Sequence, residues 1–142
     1  MFIDTTYTND NDKMLITDLV GKPYSFIKSF KMKGVGSKRM IIEDVSLNLK
    51  QYMNSISDPN YANIELRESG IIVYINKGLK NFSWVIPYYQ LVLYKSNSLS
   101  IHANGRFIRF KNNQMLKENK KFFSKMINQK IKYNNKYKFQ DS

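Results

Sequence analysis

The sequence predicts an α+β fold: an antiparallel β-meander over residues 62–111, closed by an amphipathic C-terminal helix and preceded by a short N-terminal segment of mixed helix and strand. Three observations carry this reading. Short β-rich runs are punctuated by Ser69-Gly70, Gly78-Leu79-Lys80-Asn81, Ser96-Asn97 and Asn104-Gly105, the turn chemistry that joins antiparallel strands. Ile64 and Leu66 alternate with Glu65 and Arg67, whereas residues 71–75 are apolar on both faces, so the second run belongs in the middle of the sheet. Leu116, Phe123, Ile127 and Ile131 then recur with helical period, flanked by Met115, Phe122 and Met126, with Lys117, Lys121, Lys125 and Lys132 on the opposite side.

Taken in order, residues 4–12 are polar and aperiodic, so residues 1–12 read as a flexible lead; residues 13–133 form a single domain, and residues 134–142 a disordered basic tail. Residues 13–20 make two helical turns stopped by Gly21 and Pro23. The alternation of Tyr24, Phe26, Phe30 and Met32 with Ser25, Ile27, Ser29, Lys31 and Lys33 suits a half-buried strand with Lys28 snorkelling or at an edge, after which Gly34-Val35-Gly36-Ser37 opens a flexible loop. The next segment has two readings. Ile41, Ile42, Val45, Leu47 and Leu49 can be read as strand. The preferred reading is a brief strand over 39–42 and a helix over 45–56, where Val45, Leu49, Tyr52, Met53 and Ile56 share one face, Asp44 is the N-cap and Asp58-Pro59 the stop.

Phe82, Trp84 and Ile86 share a face of the third meander strand, which Pro87 must bend because proline cannot donate to the ladder; Tyr88 to Tyr94 continue the pairing. The last hairpin can be registered from its turn. A two-residue type I′ loop at Asn104-Gly105 pairs Ala103 with Arg106, Ile101 with Ile108 and Leu99 with Phe110, turning these inward and His102, Phe107 and Arg109 outward.

Phe82-Ser83-Trp84-Val85-Ile86-Pro87-Tyr88, followed by Leu99-Ser100-Ile101 and the terminal helix over 116–131, resembles the mid-domain strands and capping helix of uncharacterised bacterial pleckstrin-homology-like (PH-like) domains. The resemblance covers residues 62–133. It implies a partly open barrel capped by the helix, and a non-enzymatic interaction module whose groove between helix and open sheet edge accepts a protein or peptide strand. Seven strands then require residues 24–32 and 39–42 to pair ahead of the meander. The lysine and arginine pattern with which some PH domains hold phosphoinositides is missing from the early hairpin loop, so that activity does not carry over.

Composition narrows the chemistry. The chain has 142 residues, a net charge of +12 and no cysteine, which excludes disulfides, iron–sulfur clusters, thiolate zinc sites and a cysteine nucleophile. No cofactor is expected. Residues 1–70 carry nine basic and nine acidic residues, residues 71–142 fourteen and two, so the whole excess lies in the second half. With neither a secretory signal pattern nor an apolar run near the roughly 20 residues of a membrane span, a cytoplasmic location is expected.

His102 is the only histidine, and the register brings only Ser100 and Arg109 near it, short of a catalytic triad. Glu43-Asp44 and Glu65 with Glu68 do not converge on one site. Gly34-Val35-Gly36-Ser37-Lys38-Arg39 lacks both the Walker and the dinucleotide spacing. Arg106-Phe107-Ile108-Arg109-Phe110-Lys111 interleaves charge with aromatics, yet its register buries Phe110. The expected interaction surface is therefore His102, Phe107 and Arg109 with Lys117, Lys120, Lys121, Lys125, Lys130 and Lys132, and the alternative to a peptide is a nucleic acid or anionic lipid surface held by the basic helix.

Overall fold

All strand pairings are antiparallel, and eight strands form one sheet in the order β1-β5-β4-β3-β2-β8-β7-β6. The computed structural model describes residues 1–7, 9–54 and 58–138. The strands are β1 (Phe2–Asp4), β2 (Met40–Val45), β3 (Tyr61–Leu66), β4 (Gly70–Lys77), β5 (Lys80–Pro87), β6 (Val92–Lys95), β7 (Leu99–Ala103) and β8 (Arg106–Phe110). The helices are α1 (Asp10–Val20), α2 (Phe26–Lys31), α3 (Gln114–Glu118) and α4 (Lys120–Lys138). The sheet does not close on itself: β1 and β6 are its two ends.

Strand β2 joins the two halves of the sheet. Its first residues pair with β3 (Met40 with Ala62, Ile41 with Tyr61) and its last with β8 (Ile42 with Phe110, Val45 with Ile108), with a register shift between Ile42 and Asp44. A bulge of this kind adds local twist and turns one strand between two neighbours. The resulting concave face is filled by Met40, Ile64, Ile71, Trp84, Ile101, Ile108 and Phe110, and α4 lays Phe122, Phe123 and Met126 on it. On the opposite face α1 seats Ile16 and Val20 against Ile72 and Val85. This second small core explains why residues 71–75 are apolar on both sides.

The final hairpin has the expected register, Leu99 to Phe110, Ile101 to Ile108 and Ala103 to Arg106. Positive φ at Asn104 (49°) and Gly105 (75°) gives the type I′ turn. The β4–β5 loop is also tight, Lys77 pairing with Lys80 across Gly78-Leu79, with Gly78 at φ 59°.

Several segments differ from the sequence reading. Within the supposed lead, Phe2–Asp4 is an edge strand on β5, held because Phe2 packs 4.4 Å from the Tyr52 ring and 5.8 Å from Phe82. Asn9 then caps α1, accepting from the Asp12 N–H at 2.8 Å, so the helix starts at Asp10. Residues 26–31 are helical rather than extended. Ser25 caps them through its hydroxyl, accepting from the Lys28 N–H at 3.2 Å, and a local cap needs no partner strand. Val35 and Ser37 are not a free loop: the Leu66 N–H donates to the Val35 carbonyl at 2.7 Å, and Ser37 exchanges bonds with Ile64.

The helix expected over 45–56 is a 3-10 helix, Leu47–Tyr52; Ile56 lies outside the described residues. Asp44 is not its cap, because that carboxylate is taken by the Val45 N–H, Lys50 and Arg109. Tyr88 to Leu91 form a turn rather than strand, with Gln90 N–H to the Pro87 carbonyl at 3.0 Å, and Pro87 ends β5 instead of bending it. The terminal helix breaks at Asn119, and residues 134–138 of the expected tail belong to α4. Within α4 Phe122, Phe123 and Met126 point inward, while the four-residue spacing from Phe123 to Ile127 and Ile131 advances about 40° per step and carries those two onto the exposed side.

Candidate functional site

The outer face of β6–β8 carries an aromatic ladder that follows from the hairpin register. Cross-strand pairing sets His102 beside Phe107 and beside Val92. The imidazole stacks 5.3 Å from the Phe107 ring at 22° and meets the Tyr94 ring edge-on at 4.5 Å. Its Nε2 lies 3.0 Å from the Ser100 hydroxyl, and burial lowers its pKa, so the ring is neutral at pH 7. With no carboxylate among the described residues to orient it, His102 serves as a flat packing surface.

Arg109 was expected to offer a free charge on this face. Instead its Nε donates to Glu43 at 3.0 Å and its Nη2 to Asp44 at 3.3 Å. These exposed pairs fix the β2–β8 junction more than they add stability. The sequence could not show that the shift at Ile42/Asp44 brings both carboxylates across to β8.

Beside the ladder, β6 has a sheet neighbour only in β7 among the described residues. Its outward side chains Val92 and Tyr94 are 45% and 58% exposed, while Leu93 packs on the core. A shallow concavity of about 390 Å³ lies against it, lined by Gln90, Val92, Tyr94, His102, Asn104 and Phe107 among others. The Asn104 amide donates to Gln90 at 2.6 Å and ties the β7–β8 turn to the β5–β6 turn. An unpaired row of peptide groups with an apolar ledge is what an added strand uses.

The six helix lysines divide. Lys125 Nζ donates to the carbonyls of Lys33 (3.1 Å) and Gly34 (2.8 Å), and Lys130 Nζ to that of Tyr88 (2.9 Å). Both have pKa values lowered chiefly by desolvation, and both tie α4 down. Asn119 adds a third tie: its amide accepts from the Lys38 N–H at 2.9 Å and donates to the Lys38 carbonyl at 3.2 Å. Lys117, Lys120 and Lys121 make no ion pair among the described residues. Lys132 opens instead into a separate cleft of about 490 Å³, with Lys22, Lys28 and Lys136 and the phenols of Tyr24, Tyr133 and Tyr137.

That cleft was missed in the sequence because its lysines come from two distant stretches. The one available signal was the lack of any acidic residue between Gly21 and Arg39. A second missed feature is Arg67, buried at the end of β3 with its guanidinium on Glu65 and on the Gly21 carbonyl (2.9 Å). Among the described residues no cluster of three or more His, Asp or Glu could hold a metal ion, and no helix is long and apolar enough to cross a membrane. Comparison with known proteins finds no matching family model, curated protein or solved structure.

Proposed function

We propose that this chain is a non-enzymatic interaction module of PH-like architecture, and that it takes an extended peptide as an added strand along β6. The architecture is supported by the order β5-β4-β3-β2-β8-β7-β6, a seven-strand meander whose first strand lies between its second and its last, followed by a helix laid on the core. The observation that carries the peptide reading is the β6 edge: four residues without an outer neighbour among the described residues, the exposed side chains of Val92 and Tyr94, and the Tyr94–His102–Phe107 ladder beside them. Main-chain bonds to β6 supply affinity, and the ladder selects apolar or aromatic side chains at alternate peptide positions.

Peptides selected from a random display library against the folded chain test this. Binders are expected to slow hydrogen exchange of the Val92–Lys95 amides and to lose at least about tenfold in affinity to Tyr94→Asp, roughly 1.4 kcal/mol. Failure to select any peptide, or binders that leave β6 unprotected and tolerate Tyr94→Asp, would refute it.

A further inference from the structure

Between Gly21 and Arg39 the chain carries Lys22, Lys28, Lys31, Lys33 and Lys38 and no acidic residue. Helix α2 in this stretch is fixed at both ends. Ser25 caps its start, and at its exit Lys33 (φ 62°) and Gly34 close a Schellman turn, with N–H bonds to the carbonyls of Phe30 (3.0 Å) and Ser29 (2.9 Å). Lys125 then holds that exit to α4. An amphipathic helix on a domain surface ordinarily turns its apolar residues inward. Here Tyr24 and Met32, just outside its ends, reach the core, while Phe26, Ile27 and Phe30 are 88%, 68% and 80% exposed.

We infer that α2 is an interfacial anchor that docks this protein on an anionic lipid bilayer, Phe26, Ile27 and Phe30 entering the headgroup layer while the lysines around them meet lipid phosphates. Large apolar side chains ringed by cations are the chemistry of a helix lying in a membrane surface. The neighbouring cleft extends it. Lys22, Lys28, Lys132 and Lys136 line one concavity with Glu68 as the single carboxylate, room for a phosphodiester headgroup. Tyr24, Tyr133 and Tyr137 on the same walls are side chains that favour the membrane–water boundary.

Two other occupants fit less well. A nucleic acid backbone would satisfy the lysines and leave three apolar side chains in water. A second copy of this chain would cover the apolar residues but set one lysine ring against another.

Flotation of the full chain with vesicles decides the matter, using phosphatidylcholine alone or with about a third phosphatidylserine. A dye attached at Ile27→Cys reports insertion, and the chain has no other cysteine to compete. The chain is expected to float with anionic vesicles only, the dye shifting to the blue as it does so. Phe26→Ser, Ile27→Ser and Phe30→Ser together should lower partitioning at least about tenfold with Trp84 emission unchanged. Absence of flotation, native partitioning by the triple variant, or a blue shift produced without vesicles by raising protein concentration or adding RNA would each overturn the inference. Should the triple variant unfold, the position-27 dye on the otherwise native chain still decides.

Discussion

Replacing Arg67 by methionine should cost about 3 kcal/mol. The side chain is 9% exposed; Nε bonds the Glu65 carboxylate and Nη1 the Gly21 carbonyl at the end of α1. Removing one partner of a fully buried pair costs about 3–5 kcal/mol, since the other charge stays behind uncompensated. Glu65 is 28% exposed and keeps the Tyr74 hydroxyl at 3.2 Å, so water and that bond bring the cost to the low end. The Tyr74 phenol reports the same environment: its pKa is pushed up to about 12, by burial first and by the Glu65 charge next.

Urea unfolding followed by Trp84, the single tryptophan and 1% exposed, reads the loss directly. With a slope of about 2 kcal/mol/M, the midpoint should fall by roughly 1.5 M. Adding Glu65→Gln to the variant removes the stranded charge and should recover part of the loss, giving a coupling energy of about 1–2 kcal/mol in the double-mutant cycle. A midpoint shift under about 0.5 M, or a coupling within about 0.5 kcal/mol of zero, would mean that the network does not hold β3 to α1.

Two further predictions concern packing and titration. At Gly70 a methyl group would press on the Ile86 carbonyl oxygen and stand 2.5 Å from Val20 Cγ1 and 2.8 Å from Pro87 Cα. Backbone cannot yield as a side chain does, so Gly70→Ala should cost about 3 kcal/mol, against about 1 for Gly78→Ala, where space is open and only the positive φ resists; urea midpoints compare them. His102 has its pKa lowered from the ordinary 6.5 by burial. The unfolded chain therefore binds the proton more readily, and this contribution is complete above the unfolded value and lost as pH falls through the folded one. Between about pH 8 and pH 5 the native chain should lose more stability than His102→Gln; parallel profiles would show that the ring titrates freely.

The parts of the fold legible in the sequence are those fixed by neighbours in the chain. Asn104-Gly105 admits one turn, and that turn registers Leu99 to Phe110 without outside information. Residues 24–32 defeated the same logic because alternating Tyr24, Phe26, Phe30 and Met32 mimics a strand, while the deciding bond is Ser25 to the Lys28 amide. The row through Leu116, Phe123, Ile127 and Ile131 fails twice. Asn119 parts Leu116 from the rest by clasping the backbone of Lys38, a partner remote in sequence. Successive four-residue steps then turn Ile127 and Ile131 away from the side that Phe122, Phe123 and Met126 bury. The candidate surface divided likewise: His102 and Phe107 stand where the register sets them, whereas Arg109, Lys125 and Lys130 are bound to groups that only the folded chain brings near.

The two faces of the sheet explain where binding surfaces can lie. The concave face is filled along its length by the main core and α4, so no strand offers a ledge there. The outer face is divided: over β4 and β5 it is covered by α1, which buries Ile72 and Val85 under Ile16 and Val20. No described helix carries the same cover over β6–β8, so Tyr94, His102 and Phe107 pack on one another instead. The strand addition proposed at β6 therefore needs no displacement of a helix. A helix engineered to cover Tyr94, His102 and Phe107 as α1 covers Ile72 and Val85 should abolish the proposed peptide binding at β6 while leaving flotation through α2 intact.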